Sequence, residues 1–249
     1  MTIQLLDHQT STGLGPVASY SPHNYRSKIV RVHVEISGAT SGDMKAVIRG
    51  KLSEAAPWYT ITEVVANWMT PTTGQEACND DNSFAVETTG FPLMKVNVGT
   101  YTTTGAAKAT STVTFTANPV HKDLLSFDDN FGHTLRLVFH TAGDLAGVNQ
   151  LGIPVEIGAT KEDTAAAAVV VIEAYGDDPH PNYKGFHISS VQGDTGFGPE
   201  PTINLTHDIP GTSGNSATTT VDGSNYSASS FSGGSGTDRY ISCWLDDNF

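Results

Sequence analysis

The sequence has few basic residues for its length. Its 249 residues include 13 Lys and Arg against 26 Asp and Glu, which gives a formal net charge of −13 and a pI near 4.9. An acidic surface repels phosphate backbones, and no cluster of Lys or Arg offsets it here, so we expect no nucleic-acid partner. The same charge is a poor match to anionic membranes, and we expect no membrane partner. Its simplest role is to keep the protein soluble.

Two further absences concern the cell compartment. The N-terminal stretch MTIQLLDHQTSTG has neither the basic start nor the apolar core of a signal peptide, and no apolar run is long enough to span a bilayer. We therefore expect a protein that folds in a cytoplasm. Only two cysteines are present, Cys78 and Cys243, and in that reducing compartment both are expected to be free thiols.

Catalytic signatures are also missing. The chain has no GxSxG nucleophile motif and no HxH or HExxH metal motif, and its Gly-rich pieces GLGP and GGSG follow no predicted strand. The nine histidines are scattered, with His33 and His140 on the solvent-facing sides of predicted strands and His180 in a proline-rich loop. Surface histidines without a catalytic role are the expectation. The sequence therefore predicts a protein that is not an enzyme and uses no cofactor.

Strand and turn chemistry, by contrast, is abundant, and its clearest pattern lies in residues 28–65. Apolar and polar residues alternate in KIVRVHVEIS and again in MKAVIRGKLS, and a third strand, WYTITEVV, follows Pro57. This alternation is the period of a strand with one buried face. Short polar turns between the strands predict an antiparallel meander with one buried face and one solvent-exposed face. The predicted core residues of the first two strands are Val30, Val32, Val34, Ile36, Met44, Ala46, Ile48 and Leu52.

Further strands are predicted along the chain. Residues 93–102 and 109–117 flank a turn at Gly105, which predicts a hairpin with a threonine-lined outer face. Residues 165–175, AAAAVVVIEAY, fit either a helix or a strand, and the Val169–Ile172 run favours a strand buried on both faces. Short strands are also predicted at 84–89, 133–140, 185–192 and 202–206.

These patterns together predict an all-β fold, an antiparallel β-sandwich of jelly-roll-like type. Residues 1–24 are predicted to form an extended N-terminal arm, and residues 25–210 the sandwich domain, with a division into two subdomains near 120–165. Residues 211–237 are rich in Gly, Ser and Thr and are predicted to be a linker or long loop. The aromatic strand in 238–249 should dock, either in its own sandwich or on a neighbouring subunit.

The tripeptide Asp-Asp-Asn occurs at three places in the chain. Clustered carboxylate and amide oxygens are the ligands that calcium prefers, but no copy has the spacing of an EF-hand loop. Because Asp and Asn are also ordinary turn residues, turns are predicted at all three places, with calcium as the alternative. The calcium candidates are Asp80, Asp81, Asp128, Asp129, Asp246 and Asp247.

The segments SKIVRVHVEISG, MKAVIRGKLS and APWYTI, all in the first third of the chain, resemble β-sandwich structural proteins of tailed-bacteriophage virions. The shared features are a Val-alternating strand, a Gly/Ser turn, a strand ending in G-x-L-S and a Trp-led strand. The resemblance implies a non-enzymatic capsid decoration or cement protein that binds and stabilises the outer surface of a phage head. The acidic charge suits that outer surface. A tail or appendage component is the alternative within this class.

The resemblance also implies partners and a location. We expect a homo-oligomer, a trimer, that binds major capsid or other virion proteins and is assembled in the host cytoplasm into the virion. Virion subunits often exchange their ends, so deleting 238–249 is expected to dissolve the oligomer and leave a folded monomer. The predicted interface residues are Ile3, Leu5, Leu6, Tyr240, Ile241, Trp244, Leu245 and Phe249.

A carbohydrate-binding β-sandwich is the alternative from another class, with a glycan as its partner. Sugar stacking needs exposed rings in a groove or a loop cluster. A binding module of this kind should be a monomer with short ordered ends, whereas an assembly protein should oligomerise through its ends. The candidate rings are Trp58, Tyr59, Trp68, Tyr183 and Tyr226.

Overall fold

The chain divides into two units whose regular secondary structure is mainly β-strand. Unit 1 comprises residues 1–105 and 237–249, and unit 2 comprises residues 106–236. The computed structural model describes residues 2–9, 13–14, 18–19, 31–38, 44–65, 75–77, 84–87, 91, 93–101, 105–148, 150–177 and 186–246. In this part of the chain, no helix combines the length and apolarity that crossing a bilayer requires.

The strands are short, and their order along the chain differs from their order in the sheets. Among the described residues there is one α-helix, α1 (Lys161–Asp177), and a short 3-10 helix (Ser213–Ser216). In chain order the strands are β1 (Thr2–Gln9), β2 (Gly13–Leu14), β3 (Ala18–Ser19), β4 (Arg31–Ser37), β5 (Lys45–Lys51), β6 (Tyr59–Val65), β7 (Gln75–Ala77), β8 (Phe84–Glu87), β9 (Leu93–Thr100), β10 (Thr110–Phe115), β11 (Leu124–Asp128), β12 (Thr134–His140), β13 (Ile153–Glu156), β14 (Ile188–Asp194), β15 (Pro199–His207), β16 (Thr218–Asp222), β17 (Tyr226–Ala228) and β18 (Tyr240–Asp246).

Unit 1 contains two sheets that share one core. The first has the order β1-β18-β4-β8, and the second has the order β2-β9-β5-β6-β7, with β3 also pairing with β9. All pairs are antiparallel except β6 with β7. Buried side chains from β4 and β18 of one sheet and from β5, β6 and β9 of the other form a single apolar cluster. This is the packing of an antiparallel β-sandwich, the predicted fold class.

The predicted faces of β4 and β5 are confirmed, but the predicted meander is wrong. Six of the eight predicted core residues are at most 1% exposed, whereas Leu52 is 58% exposed and Val30 lies outside the described residues. β5 pairs with β6 as expected, but β4 pairs with β18 and β8 in the other sheet. Alternation specifies which face of a strand is buried, and it does not specify the neighbouring strand.

Both ends of the chain are built into the first sheet of unit 1. β18 lies between β1 and β4, where Ile3 pairs with Leu245 and Val34 pairs with Cys243. The described residues of the predicted arm do not wait for a neighbour, since β1, β2 and β3 all pair with strands of their own unit. Of the two docking sites predicted for the C-terminal strand, its own sandwich is the one observed.

Unit 2 is a second sandwich, formed by a continuous stretch of the chain. Its sheets have the orders β14-β15-β10-β17 and β13-β12-β11-β16, and all pairs are antiparallel except β12 with β13. Three phenylalanines with at most 1% exposure, Phe115, Phe127 and Phe139, anchor the core between the sheets. The chain divides into its two units at residues 105 and 106, and not near 120–165 as predicted.

The helix α1 corrects the prediction of a buried strand at 165–175. Ala165, Ala168 and Ile172 are fully buried, at the spacing of one helix face, whereas Val170 points to solvent with 67% exposure. The helix begins with a capping box: Thr160 Oγ1 accepts from Asp163 N–H, and Asp163 Oδ2 accepts from Thr160 N–H, both at 3.1 Å. This cap and the alanine run outweigh the strand preference of the valines.

The segment 211–237 is not a linker. It contains the 3-10 helix, β16 and β17, and it buries Gly214, Ala217, Tyr226 and Phe231. Because glycine lacks a side chain and serine has a short one, this backbone can lie close to its neighbours. Its strands are ordered by pairing with β11 and β10, which lie far away in the sequence.

The predicted hairpin between residues 93–102 and 109–117 is also wrong. β9 belongs to unit 1 and β10 to unit 2, so the turn at Gly105 joins two units and does not close a hairpin. Within β10, Val113 and Phe115 face the core of unit 2, and Ala117 beyond the strand is exposed.

Candidate functional site

A cluster of polar side chains in the described part of the chain lies at one end of the unit 2 sandwich. It starts in the five-residue loop 129–133, which joins β11 to β12. The loop turns through two residues with positive φ, Asn130 (62°) and Gly132 (94°). Asp128 Oδ1 accepts a hydrogen bond from Asn130 N–H at 2.8 Å, which holds the first half of the turn. This conformation directs Asp129 into the protein.

Asp129 is a fully buried carboxylate that accepts four hydrogen bonds. Its Oδ1 accepts from the backbone N–H of Phe131 (2.8 Å) and of His133 (3.0 Å). Its Oδ2 lies 2.9 Å from His133 Nδ1 and accepts from the backbone N–H of His187 at 3.2 Å. Burial raises the pKa of Asp129, but these hydrogen bonds and the charge of His133 outweigh it, and the pKa lies below the ordinary value. The group is therefore an anion at neutral pH.

Three histidines contact Asp129 through its carboxylate or its backbone oxygen. His133 is part of the loop, His187 directly precedes β14, and His207 is the last residue of β15. His187 is 5% exposed and His207 is fully buried, whereas the side chain of His133 is 24% exposed. Because β14 and β15 belong to one sheet and β11 and β12 to the other, the group joins the two sheets of unit 2. We refer to Asp129, Phe131, His133, His187 and His207 as the Asp129 cluster.

His207 has an unusual hydrogen-bonding environment. Its Nδ1 lies 3.2 Å from the backbone oxygen of Ile209, and its Nε2 lies 3.0 Å from the backbone oxygen of Asp129. Carbonyl oxygens only accept, so a neutral ring can donate to one of them and an imidazolium to both. Gly214 packs against the ring, and a Cβ at that position would lie 2.8 Å from His207 Cγ. Glycine is therefore needed there for the ring to be buried.

Phe131 packs against two of the histidine rings of the cluster. Its ring lies edge-on to His187, with centroids 5.5 Å apart, and is tilted against His207 at 5.7 Å. His133 and His187 lie edge-on to each other at 5.9 Å. The polar atoms thus lie in a largely apolar surrounding, in which their mutual interactions are strong.

Three members of the cluster are able to bind a metal ion together. One ligand atom from each of Asp129, His133 and His187 lies within 4.8 Å of the others. An imidazole pair with one carboxylate is a donor set for zinc and for other divalent transition metals. The Asp129–His133 pair on its own holds an imidazole in a defined orientation. Acid–base chemistry would additionally need a substrate group, and none is specified by the structure.

The sequence identified only one residue of this site. Asp129 was predicted as a calcium candidate, and the structure surrounds it with nitrogen ligands that calcium does not favour. His187 was not detected because it lies 58 residues from Asp129 in the sequence. The D-x-x-x-H spacing of Asp129 and His133 was the one available signal. The expectation of surface histidines is wrong for His187 and His207, and for His140, which is 7% exposed.

In the described part of the chain, the other calcium candidates do not form a cluster. Asp128 bonds within its own turn, to Asn130 N–H and to the Thr134 hydroxyl (3.2 Å), so the predicted turn is confirmed there. Asp246 pairs with Thr2 and Arg31 in the sheet of unit 1. The candidates Asp80, Asp81 and Asp247 lie outside the described residues.

The predicted interface residues lie in strands that pair within the chain. Ile241 is fully buried in the core of unit 1, so its prediction as a contact to another subunit is wrong. Tyr240 Oη donates to Glu35 Oε1 at 3.0 Å on the neighbouring strand. Phe249 lies outside the described residues. For the remaining residues, Ile3, Leu5, Leu6, Trp244 and Leu245, the structure describes only their places in β1 and β18.

Three of the five predicted sugar-binding rings, Trp58, Tyr59 and Tyr226, lie in the described part of the chain. Tyr226 is 4% exposed, and its hydroxyl donates to the backbone oxygen of Leu124 at 2.8 Å. Trp58 has Lys95 Nζ 4.4 Å from its ring centroid, so a cation already covers one face. Tyr59 is 47% exposed, while Trp68 and Tyr183 lie outside the described residues.

Comparison with known proteins adds no family to this description. No protein-family model matches the chain, and neither a curated protein nor a solved structure is detectably similar to it.

Proposed function

We propose that the protein is a non-enzymatic structural subunit of a tailed-phage virion, a decoration protein that binds the outer surface of the head. The proposal rests on the resemblance of the first strands to virion sandwich proteins and on the acidic net charge of −13. A subunit of this kind acts by binding neighbouring proteins, so it needs an exposed anchor for a partner. The observation that carries the proposal is such an anchor in unit 2.

That anchor is Phe197, at the end of the hairpin formed by β14 and β15. Its side chain is 100% exposed, the largest exposure among the large apolar residues in the described part of the chain. The same hairpin presents Val191 at 60% exposure. Aromatic side chains that enter a pocket of the partner contribute much of the binding energy in protein interfaces. A solvated phenylalanine ring is costly in water, and a partner's pocket would remove that cost.

The loop that carries Phe197 has a defined conformation. Gly196 (φ +83°) and Gly198 (φ +135°) flank the phenylalanine in regions of backbone space that favour glycine. Asp194 Oδ1 accepts a hydrogen bond from Gly196 N–H at 2.6 Å, which forms a turn before the ring. A built turn lowers the entropy that binding would cost, so the tip is preorganised for contact.

The direct test of the proposal is to purify virus particles from a culture that produces the protein. The chain should co-sediment with intact particles through a density gradient, and electron microscopy should place it on the outer surface of the head. Its presence on isolated tails would instead support the appendage alternative. Recovery only from the free protein fraction would contradict a virion role.

The role of the anchor is tested by a matched pair of substitutions. Phe197→Asp should abolish binding to particles, and with it any trimer seen by sedimentation velocity, without lowering the melting temperature. Val120→Asp is the control, because Val120 is also in unit 2 and is 56% exposed but lies outside the hairpin. Equal loss of binding in both variants would indicate a general charge effect and would contradict an anchor at Phe197.

A further inference from the structure

We infer that Asp129, His133 and His187 bind one divalent transition-metal ion of the zinc class, and that this ion links the two sheets of unit 2. The three ligand atoms lie within 4.8 Å of one another. Two of the ligands come from the loop between β11 and β12, and the third comes from the start of β14 in the other sheet. The inference is independent of the proposed virion role.

The donor set determines the class of metal. Imidazole nitrogen suits zinc, cobalt, nickel, copper and iron, whereas calcium and magnesium require oxygen ligands. A single carboxylate with two imidazoles is therefore a poor calcium site and a good transition-metal site. Three protein ligands leave one position of a tetrahedron for water or a further donor.

The distances require only a small contraction of the site. Zinc binds nitrogen and oxygen at about 2.0–2.2 Å, which places neighbouring tetrahedral ligand atoms roughly 3.4 Å apart. The 2.9 Å contact of Asp129 Oδ2 with His133 Nδ1 opens slightly, because the ion takes the place of the proton between these atoms. The third ligand atom moves inward from a distance of at most 4.8 Å. A rotation of the His187 ring is a motion of this size.

The carboxylate is already held in place for such a role. The two backbone N–H groups that donate to Asp129 Oδ1 fix its orientation and leave Oδ2 directed toward the histidines. Ligands that are oriented by hydrogen bonds from an outer shell bind metal more tightly, because less ordering is needed on binding. The 24% exposure of the His133 side chain provides a route to the site from solvent, and Asp129 itself is fully buried.

The alternative is that the cluster is a hydrogen-bonded network without a metal. The two readings differ in their response to zinc. A network that binds no ion should be indifferent to zinc. A metal site should stabilise folded unit 2, since an ion that binds only the folded state raises the melting temperature.

The experiment uses the full-length chain, stripped with a chelator and then titrated with one equivalent of Zn²⁺. We expect differential scanning calorimetry to show a rise of about 5 °C in the transition of unit 2. Ca²⁺ and Mg²⁺ should not produce this shift. With Co²⁺ in place of Zn²⁺, visible absorption bands of a four-coordinate nitrogen and oxygen site should appear. No zinc shift in the wild-type protein would overturn the inference.

A matched pair of variants locates the ion. His133→Gln removes a ligand but keeps an N–H that can donate to Asp129, and it should abolish both the zinc shift and the cobalt bands. His121→Gln is the control, because His121 Nε2 lies 3.6 Å from Asp144 Oδ2 and its side chain has the same 24% exposure as His133. Retention of the shift in His133→Gln, or its loss in His121→Gln, would overturn the inference.

A measurement without any substitution covers the case in which His133→Gln fails to fold. Hydrogen exchange of the wild-type chain should slow on addition of Zn²⁺ in peptides that cover 129–133 and 186–188, which the ion joins. Peptides that cover His121 and Asp144 should not change. Zinc-dependent protection that is absent from 129–133 and 186–188 would overturn the inference.

Discussion

The two units are both β-sandwiches, but they are assembled from the chain in different ways. Unit 1 needs residues from both ends of the sequence, since β18 lies between β1 and β4. Unit 2 is a continuous segment inserted between β9 and β18. Contacts between residues that are distant in sequence form late in folding, because the entropy of closing a long loop opposes them. We therefore expect unit 2 to fold as an independent element and unit 1 to depend on the whole chain.

The units also differ in the charge that they bury. Unit 1 buries Lys95, which is 9% exposed and holds its ammonium group above the Trp58 ring. A long aliphatic side chain with its charge on an aromatic face is an inexpensive way to bury a cation. Unit 2 buries Asp129 instead, a short anion that needs four hydrogen bonds. The buried anion of unit 2 is thus held by directional hydrogen bonds, whereas the buried cation of unit 1 lies on an aromatic face.

Deletion of 238–249 should have the largest effect and should act on unit 1 alone. Removal of β18 takes Ile241 and Cys243 out of the core of unit 1. It also leaves β1 and β4 without their common neighbour. We expect unit 1 to unfold while unit 2 keeps a cooperative transition in calorimetry. This replaces the expectation of a folded monomer. A truncated chain in which unit 1 also melts cooperatively would contradict the comparison.

Phe139→Ala should destabilise unit 2 by about 3–5 kcal/mol, because it leaves a cavity at the centre of the core. The ring is fully buried and packs edge-on against Phe115 and Tyr226, at 5.9 and 5.6 Å. Phe197→Ala is the control and should change stability by less than about 0.5 kcal/mol, since that ring is fully exposed. Urea denaturation monitored by circular dichroism measures both. An equal shift of the unit 1 transition would show that the units do not melt separately.

Thr160→Ala should cost unit 2 about 1 kcal/mol through loss of the helix cap. The threonine hydroxyl accepts the Asp163 N–H at the first turn of α1, and the helix packs on β13, β14 and β15. Thr195→Ala, in the exposed hairpin tip, serves as the control. Urea midpoints should separate the two variants. Unchanged stability in Thr160→Ala would mean that packing alone holds the helix.

The smallest of the expected effects is a loss of stability of unit 1 at alkaline pH. Burial raises the pKa of Tyr101 and of Tyr240 from 10.0 to about 12. Their hydroxyls donate to the backbone oxygen of Arg239 and to Glu35. The unfolded chain ionises first, so the stability from these groups is complete below pH 10 and is lost as the pH rises through about 12.

Tyr101→Phe and Tyr240→Phe test the alkaline prediction in unit 1. Each should flatten the decline of the unit 1 melting temperature above pH 10, the ordinary pKa of tyrosine, and leave the transition of unit 2 unchanged. The effect is modest because both side chains are only half-buried and solvent screens their interactions. Identical pH profiles in wild type and both variants would show that the decline has another origin.

The candidate site was predictable only in part. Asp129 could be found because Asp-Asp-Asn is a local motif, and the turn at Asp128 followed from the same residues. His187 and His207 could not be found, since nothing near them in sequence indicates that β14 and β15 end beside the loop 129–133. Buried histidines have no local signature. Their role follows from the approach of two sheets.

Local patterns in the sequence specify the properties that depend on near neighbours in the chain. Alternation predicted the buried faces of β4 and β5, turn residues predicted the loop at Asp128, and the composition predicted an all-β sandwich with an acidic surface. The capping box at Thr160 and Asp163, which marks the start of α1, is a local signal of the same kind. In each case the physical cause acts over a few residues.

Which strands become neighbours depends on contacts between distant parts of the chain. β4 pairs in the other sheet and not in the predicted meander, and β18 lies beside β1. A segment rich in Gly and Ser forms β16 and β17. The pairing of a strand depends on the total apolar surface that the assembled sheets bury, which no local pattern encodes. The Asp129 cluster has the same origin, because its residues meet only after both sheets of unit 2 have formed.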